Sequence, residues 1–300
     1  MKKVILYILI TATCFATMEV ALKIAGSSLE PLQLTCLRFL IGGLILTPFG
    51  MLELRAREYH LTGRDLLWLL LVGIVCIPVS MYAFQVGVLH CNAATAAPLM
   101  CTNPLFTMVL AHLFTDEKMD RMKWIAFGIS VVAVIFMICP WDIQPGNTVF
   151  GMCTMLFAAM TFGAYTVMGK RSIARIGTFA QTGISFLFGS LIMIPMMLAT
   201  GHPVLQGVAE NWKSVAYCGI VVTGIGYLCY FLAIRGSDAT TGSLAFYIKP
   251  AIAPVFAVLI LHESVCWNTI VGIVLLIAAS AITLADTFRH RKAALMRQPS

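Results

Sequence analysis

The chain has 300 residues, 60% hydrophobic and only 11% charged, with a mean hydropathy of +0.91. A soluble domain carries about 25% charged residues, so this composition excludes a water-exposed globular surface and points to a protein that crosses a bilayer repeatedly. The formal net charge of +7 does not point to nucleic acid, because the basic residues lie in short loops and in the tail.

A transmembrane helix needs about 20 mostly apolar residues. In chain order the pattern predicts spans over residues 4–22, 31–52, 66–88, 94–114 and 124–141. A second set follows over 148–168, 178–199, 214–235, 239–261 and 266–287. Met1-Lys2-Lys3 and the apolar run behind it imitate a signal peptide, but the run continues to Leu22, so a retained first span is expected. The stretches between spans are too short for a soluble domain. The expected fold class is therefore an all-α polytopic membrane protein of ten transmembrane helices. Its units are 1–141, 148–287 and a basic tail at 288–300.

The two sets of spans are one unit written twice. At an offset of about 146 residues, Asn103-Pro104 falls on Lys249-Pro250, Glu117 on Glu263, Gly73-Ile74-Val75 on Gly219-Ile220-Val221, and Ala93 on Ala239. One residue of slip earlier, Phe15 falls on Phe162, Lys23 on Lys170, Phe39 on Phe186 and Pro48 on Pro195. With the N-terminus in the cytoplasm, only Lys23 and Lys213 of the 20 Lys and Arg fall outside, Arg38 and Lys249 lie within spans, and the other 16 fall inside. That asymmetry obeys the positive-inside rule and puts both termini in the cytoplasm. Five spans per copy make the second copy enter from the opposite face, which is an inverted repeat.

The repeated unit resembles the EamA-type branch of the drug/metabolite transporter superfamily. The resemblance rests on Phe15-Ala16-Thr17 with Lys23, Phe162-Gly163-Ala164 with Lys170, Pro31 with Arg38, and the two stretches from Asn103-Pro104 to Glu117 and from Lys249-Pro250 to Glu263. The family often has Trp where Phe15 and Phe162 stand, and Ser185 replaces the second copy's Arg. The resemblance implies helices around a central cavity, with export of small metabolites such as amino acids a common activity.

Lys249 is the leading candidate site residue. It lies about ten residues into its span, near the bilayer centre at 1.5 Å per residue, where a charged group costs at least about 2.5–3.5 kcal/mol. It is expected to face a cavity, a counter-ion or a ligand. Pro250 removes a backbone donor and is expected to turn the Phe246 carbonyl toward the same cavity, lined by Phe246, Tyr247 and Tyr230. Asn103 is the symmetry counterpart of Lys249. Glu19 is expected to pair with Arg38, or with Lys23 four residues on, or to titrate as a coupling group. Glu117 and Glu263 read as duplicated capping or pairing groups at the membrane surface, His112 as a helix-contact histidine, and Asp238 as an N-cap.

The ten cysteines show no CxxC pair or metal spacing, so free thiols are expected, and no cofactor or metal. Gly224-Ile225-Gly226 lacks the strand–turn–helix context of a nucleotide loop. The sequence therefore supports a secondary transporter of the inner membrane rather than an enzyme. Its expected partners are a small-molecule substrate, a coupling proton or ion, and membrane lipid. An importer of a nucleobase or sugar derivative, an intramembrane enzyme and a passive channel stand as alternatives. Substrate, direction and oligomeric state are not legible.

Overall fold

The structure, a computed structural model, describes residues 2–115, 119–139, 141–236 and 244–296, without the side chains of 234–236, 244, 247, 284 and 286–296. Glu117, Asp238, Ala239, the Tyr247 side chain and the side chains of the basic tail thus lie outside the described residues. The described secondary structure is helical, without a strand. Among the described residues, eight helices are long and apolar enough to cross a membrane: α1 Lys2–Gly26, α2 Pro31–Ala56, α3 Gly63–Leu89, α4 Ala93–Phe114, α5 Arg121–Ile138, α6 Val149–Ile176, α7 Thr178–Ala199 and α8 Trp212–Ala233. Two further helices follow, α9 Leu244–Leu261 and α10 Trp267–Met296, whose described apolar stretches are shorter, Ile248–Leu261 and Trp267–Thr283. Outward-facing Leu52, Leu113, Leu198 and Leu259 are more than half exposed, as suits a surface solvated by lipid tails.

The helices depart from regularity for local chemical reasons. In α1 the Thr13 hydroxyl donates to the Leu9 carbonyl and the Thr17 hydroxyl to those of Thr13 and Cys14. Such back-bonding bends helices, and α1 divides at Thr17 into Lys2–Ala16 and Met18–Gly26. In α4 the missing N–H of Pro104 coincides with a break between Ala93–Met100 and Asn103–Phe114. The equivalent Pro250 lies inside an unbroken α9. Helices α3 and α8 each widen into a π-helical stretch at mid-length, Val75–Met81 and Tyr217–Ile225. In α3 the stretch contains Pro78, which cannot donate to the ladder; in α8 the Thr223 hydroxyl bonds the carbonyl of Cys218, five residues back.

Packing joins the two halves of the chain. The most extensive contacts pair α2 with α7 and α5 with α10; α1 packs on α8 and α9, while α6 packs on α3 and α4. Phe39 and Phe186, matched residues of the two copies, meet edge to face with ring centroids 4.7 Å apart. Small residues let the backbones approach: a Cβ on Gly73 would lie 2.4 Å from the Ser185 carbonyl oxygen, and one on Gly189 would lie 2.5 Å from the Gly73 carbonyl oxygen.

Glu263 closes the end of the bundle next to the α1–α2 turn. Its two carboxylate oxygens accept from the Ala93 and Ala94 N–H groups, each at 3.0 Å, and Oε1 also accepts from Lys23 Nζ at 2.7 Å. A residue from beyond α9 therefore caps the N-terminus of α4, where the helix dipole favours a negative charge. Glu263→Ala is expected to destabilise the protein by about 1–2 kcal/mol, the range for a lost N-cap, read as a lowered melting temperature in detergent.

Candidate functional site

Lys249 on α9 and Glu19 on α1 form an ion pair inside the bundle. Nζ donates to Glu19 Oε1 at 2.6 Å, and the two side chains are 3% and 1% exposed. The pair exists because α1 packs directly against α9, which brings residues 230 positions apart into contact. The second carboxylate oxygen of Glu19 is buried without a hydrogen-bond partner. Burying a charge costs several kcal/mol, and here one ion offsets the other.

The structure corrects the expected partners of Glu19. It pairs with neither Arg38 nor Lys23. Lys23, although four residues on, turns to Glu263 and to the Cys91 carbonyl at 2.9 Å. Arg38 is fully buried, with Nε and Nη2 lacking hydrogen-bond partners. Its guanidinium lies over the Phe39 ring at 4.3 Å and the Phe84 ring at 5.9 Å, which supplies cation–π stabilisation in place of a carboxylate. Helical spacing favoured a local Glu19–Lys23 pair worth only about 0.2–0.5 kcal/mol; the buried alternative wins because it neutralises Lys249.

Lys249 opens onto a small central cavity of about 20 Å³, room for about one water. Its wall combines both halves of the chain: Phe15 and Met18 of α1, Met81 of α3, Met100, Cys101 and Asn103 of α4, Phe162 of α6, Tyr227 of α8, and Phe246 and Lys249 of α9. The break in α4 falls at this wall. Lys249, Asn103 and Phe246, chosen from the sequence, thus share one cavity. Tyr230 stands behind it, its ring 5.3 Å from that of Phe246 and 6.4 Å from that of Phe15. Sequence reasoning missed Tyr227 and the three methionines. In the sequence Phe15 and Phe162 stand out as matched positions of the repeat and of the family pattern; their meeting at one cavity follows from the packing of α1 and α6 about it. Thioethers are flexible and polarisable, so a methionine wall can re-pack around solutes of different shape.

The remaining candidates are peripheral. His112 accepts from the Met119 N–H at 3.3 Å and packs on Trp124. The ten cysteines are free thiols. Among the described residues no group of three His, Cys, Asp or Glu could hold a metal ion.

Comparison with known proteins places this architecture. The sequence profile described as the EamA-like transporter family matches twice, over residues 2–139 and 149–285. An uncharacterized transporter of Clostridium kluyveri is 35% identical over 293 residues, covering 95% of this chain and 94% of its own length. A probable terminal-alkyne amino-acid exporter of Streptantibioticus cattleyicolor is 25% identical over 301 residues, covering 97% and 95%. A solved structure described only as a crystal structure of a protein superposes with a TM-score of 0.66 at 16% identity, covering 96% of this chain and 98% of its own. That likeness concerns the fold alone.

Proposed function

Because the chain belongs to the EamA-like transporter family, and is a multi-pass membrane protein, we propose that it is a secondary active transporter that exports small carboxylate-bearing metabolites, amino acids foremost, by alternating access. The observation that carries this reading is the charge inside the bundle. Arg38 and Lys249 are both buried; among the described residues Lys249 is paired with the buried Glu19, and no carboxylate hydrogen-bonds Arg38. A buried cation is costly without a counter-charge, and a solute carboxylate that reaches Lys249 from the cavity can take the place of Glu19. Glu19 in turn suits the ammonium group of an amino acid. The name of the Streptantibioticus relative supports the same solute class.

In this reading the chain has ten spans in two inverted repeats, with both termini in the cytoplasm and the inner membrane as its location. The reciprocal packing supports it: α1 meets α8 and α9 as α6 meets α3 and α4. So does the family profile, which matches once in each half. A central cavity with room for one water is an occluded state, and a larger solute requires the halves to part. Arriving carboxylate competes with Glu19 for Lys249, so the solute itself loosens the α1–α9 contact. The gradient of the solute or of a coupling ion supplies the energy.

The test is a thermal-shift screen of the purified protein. Amino acids at about 100 times their Kd are expected to add about 2.7 kcal/mol of stability, whereas their amides and the corresponding amines leave the melting temperature unchanged. Counterflow in proteoliposomes then follows with the best ligand. Equal stabilisation by amines, or linear flux without saturation, would remove the carboxylate carrier.

A further inference from the structure

A second concavity, sharing no lining residue with the central cavity, lies in a groove between α3 and α6. It has a volume of about 480 Å³ and is lined by Arg64, Leu67, Trp68 and Leu71 of α3 and by Arg171 and Arg175 of α6. We propose that this groove binds an anionic phospholipid, with the lipid phosphate held by Arg64 and Arg171 and the upper acyl chain lying along Leu67 and Leu71.

The three arginines are not equivalent. Arg175 is committed to the protein: Nη2 stands 3.0 Å from Asp65 Oδ1. Asp65 is itself fixed, accepting from the Tyr59 hydroxyl at 2.8 Å, the Thr62 hydroxyl at 2.7 Å and the Thr62 N–H at 3.1 Å. That lock anchors the start of α3 against α6. Among the described residues, Arg64 and Arg171 have no acidic partner, and both side chains are exposed. Two free guanidinium groups at the mouth of one groove match a phosphate diester, which accepts charge-assisted hydrogen bonds from arginine.

The apolar part of the groove distinguishes a lipid from a free anion. Arg64, Leu67, Trp68 and Leu71 are spaced three and four residues apart, so they form one stripe on α3. The stripe runs from charge to hydrocarbon over about 10 Å at 1.5 Å per residue. Leu67 and Leu71 are 58% and 44% exposed. Trp68 sits at the join, where an amphipathic ring belongs at a membrane interface. Its indole nitrogen is buried without a hydrogen-bond partner. Basic pockets between membrane helices are suited to anionic headgroups. In the topology proposed above, this end of α3 faces the cytoplasmic leaflet; lipid binding itself does not depend on that assignment or on the transported solute.

The experiment is native mass spectrometry of the intact protein in detergent, with phosphatidylglycerol, phosphatidylcholine, glycerophosphoglycerol and inorganic phosphate each added at equal concentration. Phosphatidylglycerol is expected to bind on the order of tenfold more tightly than phosphatidylcholine, and Arg64→Gln/Arg171→Gln to lose that preference. Both substitutions are on exposed side chains, so the unliganded melting temperature is expected to stay at the wild-type value. A second measurement needs no arginine variant: dibrominated phosphatidylglycerol quenches tryptophan fluorescence, and Trp68→Phe is expected to remove most of the saturable part. An unaltered preference in the double variant, or saturable quenching retained in Trp68→Phe, overturns the site. Binding of phosphate or glycerophosphoglycerol as tight as that of the lipid overturns the lipid as its occupant.

Discussion

Glu19→Gln is expected to abolish transport and to lower stability by about 3–5 kcal/mol, the cost of leaving a buried charge without its partner. The reason is the isolation of the pair. Lys249 is 3% exposed and its ammonium donates to Glu19, so neutralising the carboxylate strands a cation among Phe15, Met18 and Phe246. Lys249→Ala strands the carboxylate instead, with the same expected penalty. These single variants cannot separate folding from function, so the double variant Glu19→Gln/Lys249→Gln is decisive. It removes both charges at once, and its melting temperature is expected to recover toward wild type while solute counterflow remains absent. Recovery of counterflow along with stability would reduce the pair to a structural ion pair. A non-additive energy in the double-mutant cycle measures the coupling directly.

Gly73→Val is expected to prevent assembly of the bundle, seen as loss of the monodisperse peak after solubilisation. Overpacking a well-filled contact costs about 1–3 kcal/mol where neighbours can shift. Here the added Cβ would meet the Ser185 carbonyl at 2.4 Å and the Gly189 nitrogen at 3.0 Å. Those are backbone atoms of α7, so relief requires moving a whole helix that also packs on α2. Gly128→Ala is the control. It lies in α5 with nothing within 4 Å of the added carbon, and the exchange is expected to be neutral or to gain up to about 1 kcal/mol of helix propensity. Equal behaviour of the two variants would show that the α3–α7 contact does not limit assembly.

Much of the helix framework was legible because hydrophobic length is a local property. The predicted span 31–52 became Pro31–Ala56, and 178–199 became Thr178–Ala199. The expected start at 239 falls among residues outside the description, and the described apolar stretch of α9 begins at Ile248. The duplicated prolines illustrate the limit of local rules. Pro104 and Pro250 are equivalent in sequence, yet α4 divides before Pro104 and α9 runs on through Pro250. The π-helical stretches of α3 and α8 carried no periodicity signal that would have announced them, since widening one turn leaves the apolar pattern of a fully apolar helix unchanged.

The sequence by itself determined that the chain is an all-helical membrane protein, where its apolar segments lie, that its residue pattern recurs, and that Lys249 has to face a cavity, a counter-ion or a ligand. These follow from composition and from the cost of a charge in hydrocarbon, neither of which requires a partner to be known. Only the tertiary structure decided which counter-charge serves. Glu19 had a cation four residues away and another on the next helix, and it took neither. Lys23 could reach Glu263 at the rim, where a helix N-terminus also attracts that carboxylate, and Arg38 lay against two aromatic faces. Among the described residues Lys249 pairs with Glu19, because α9 packs on α1. Ion pairing in a membrane bundle is settled by which helices touch, and that depends on glycines and ring contacts distributed over the whole chain.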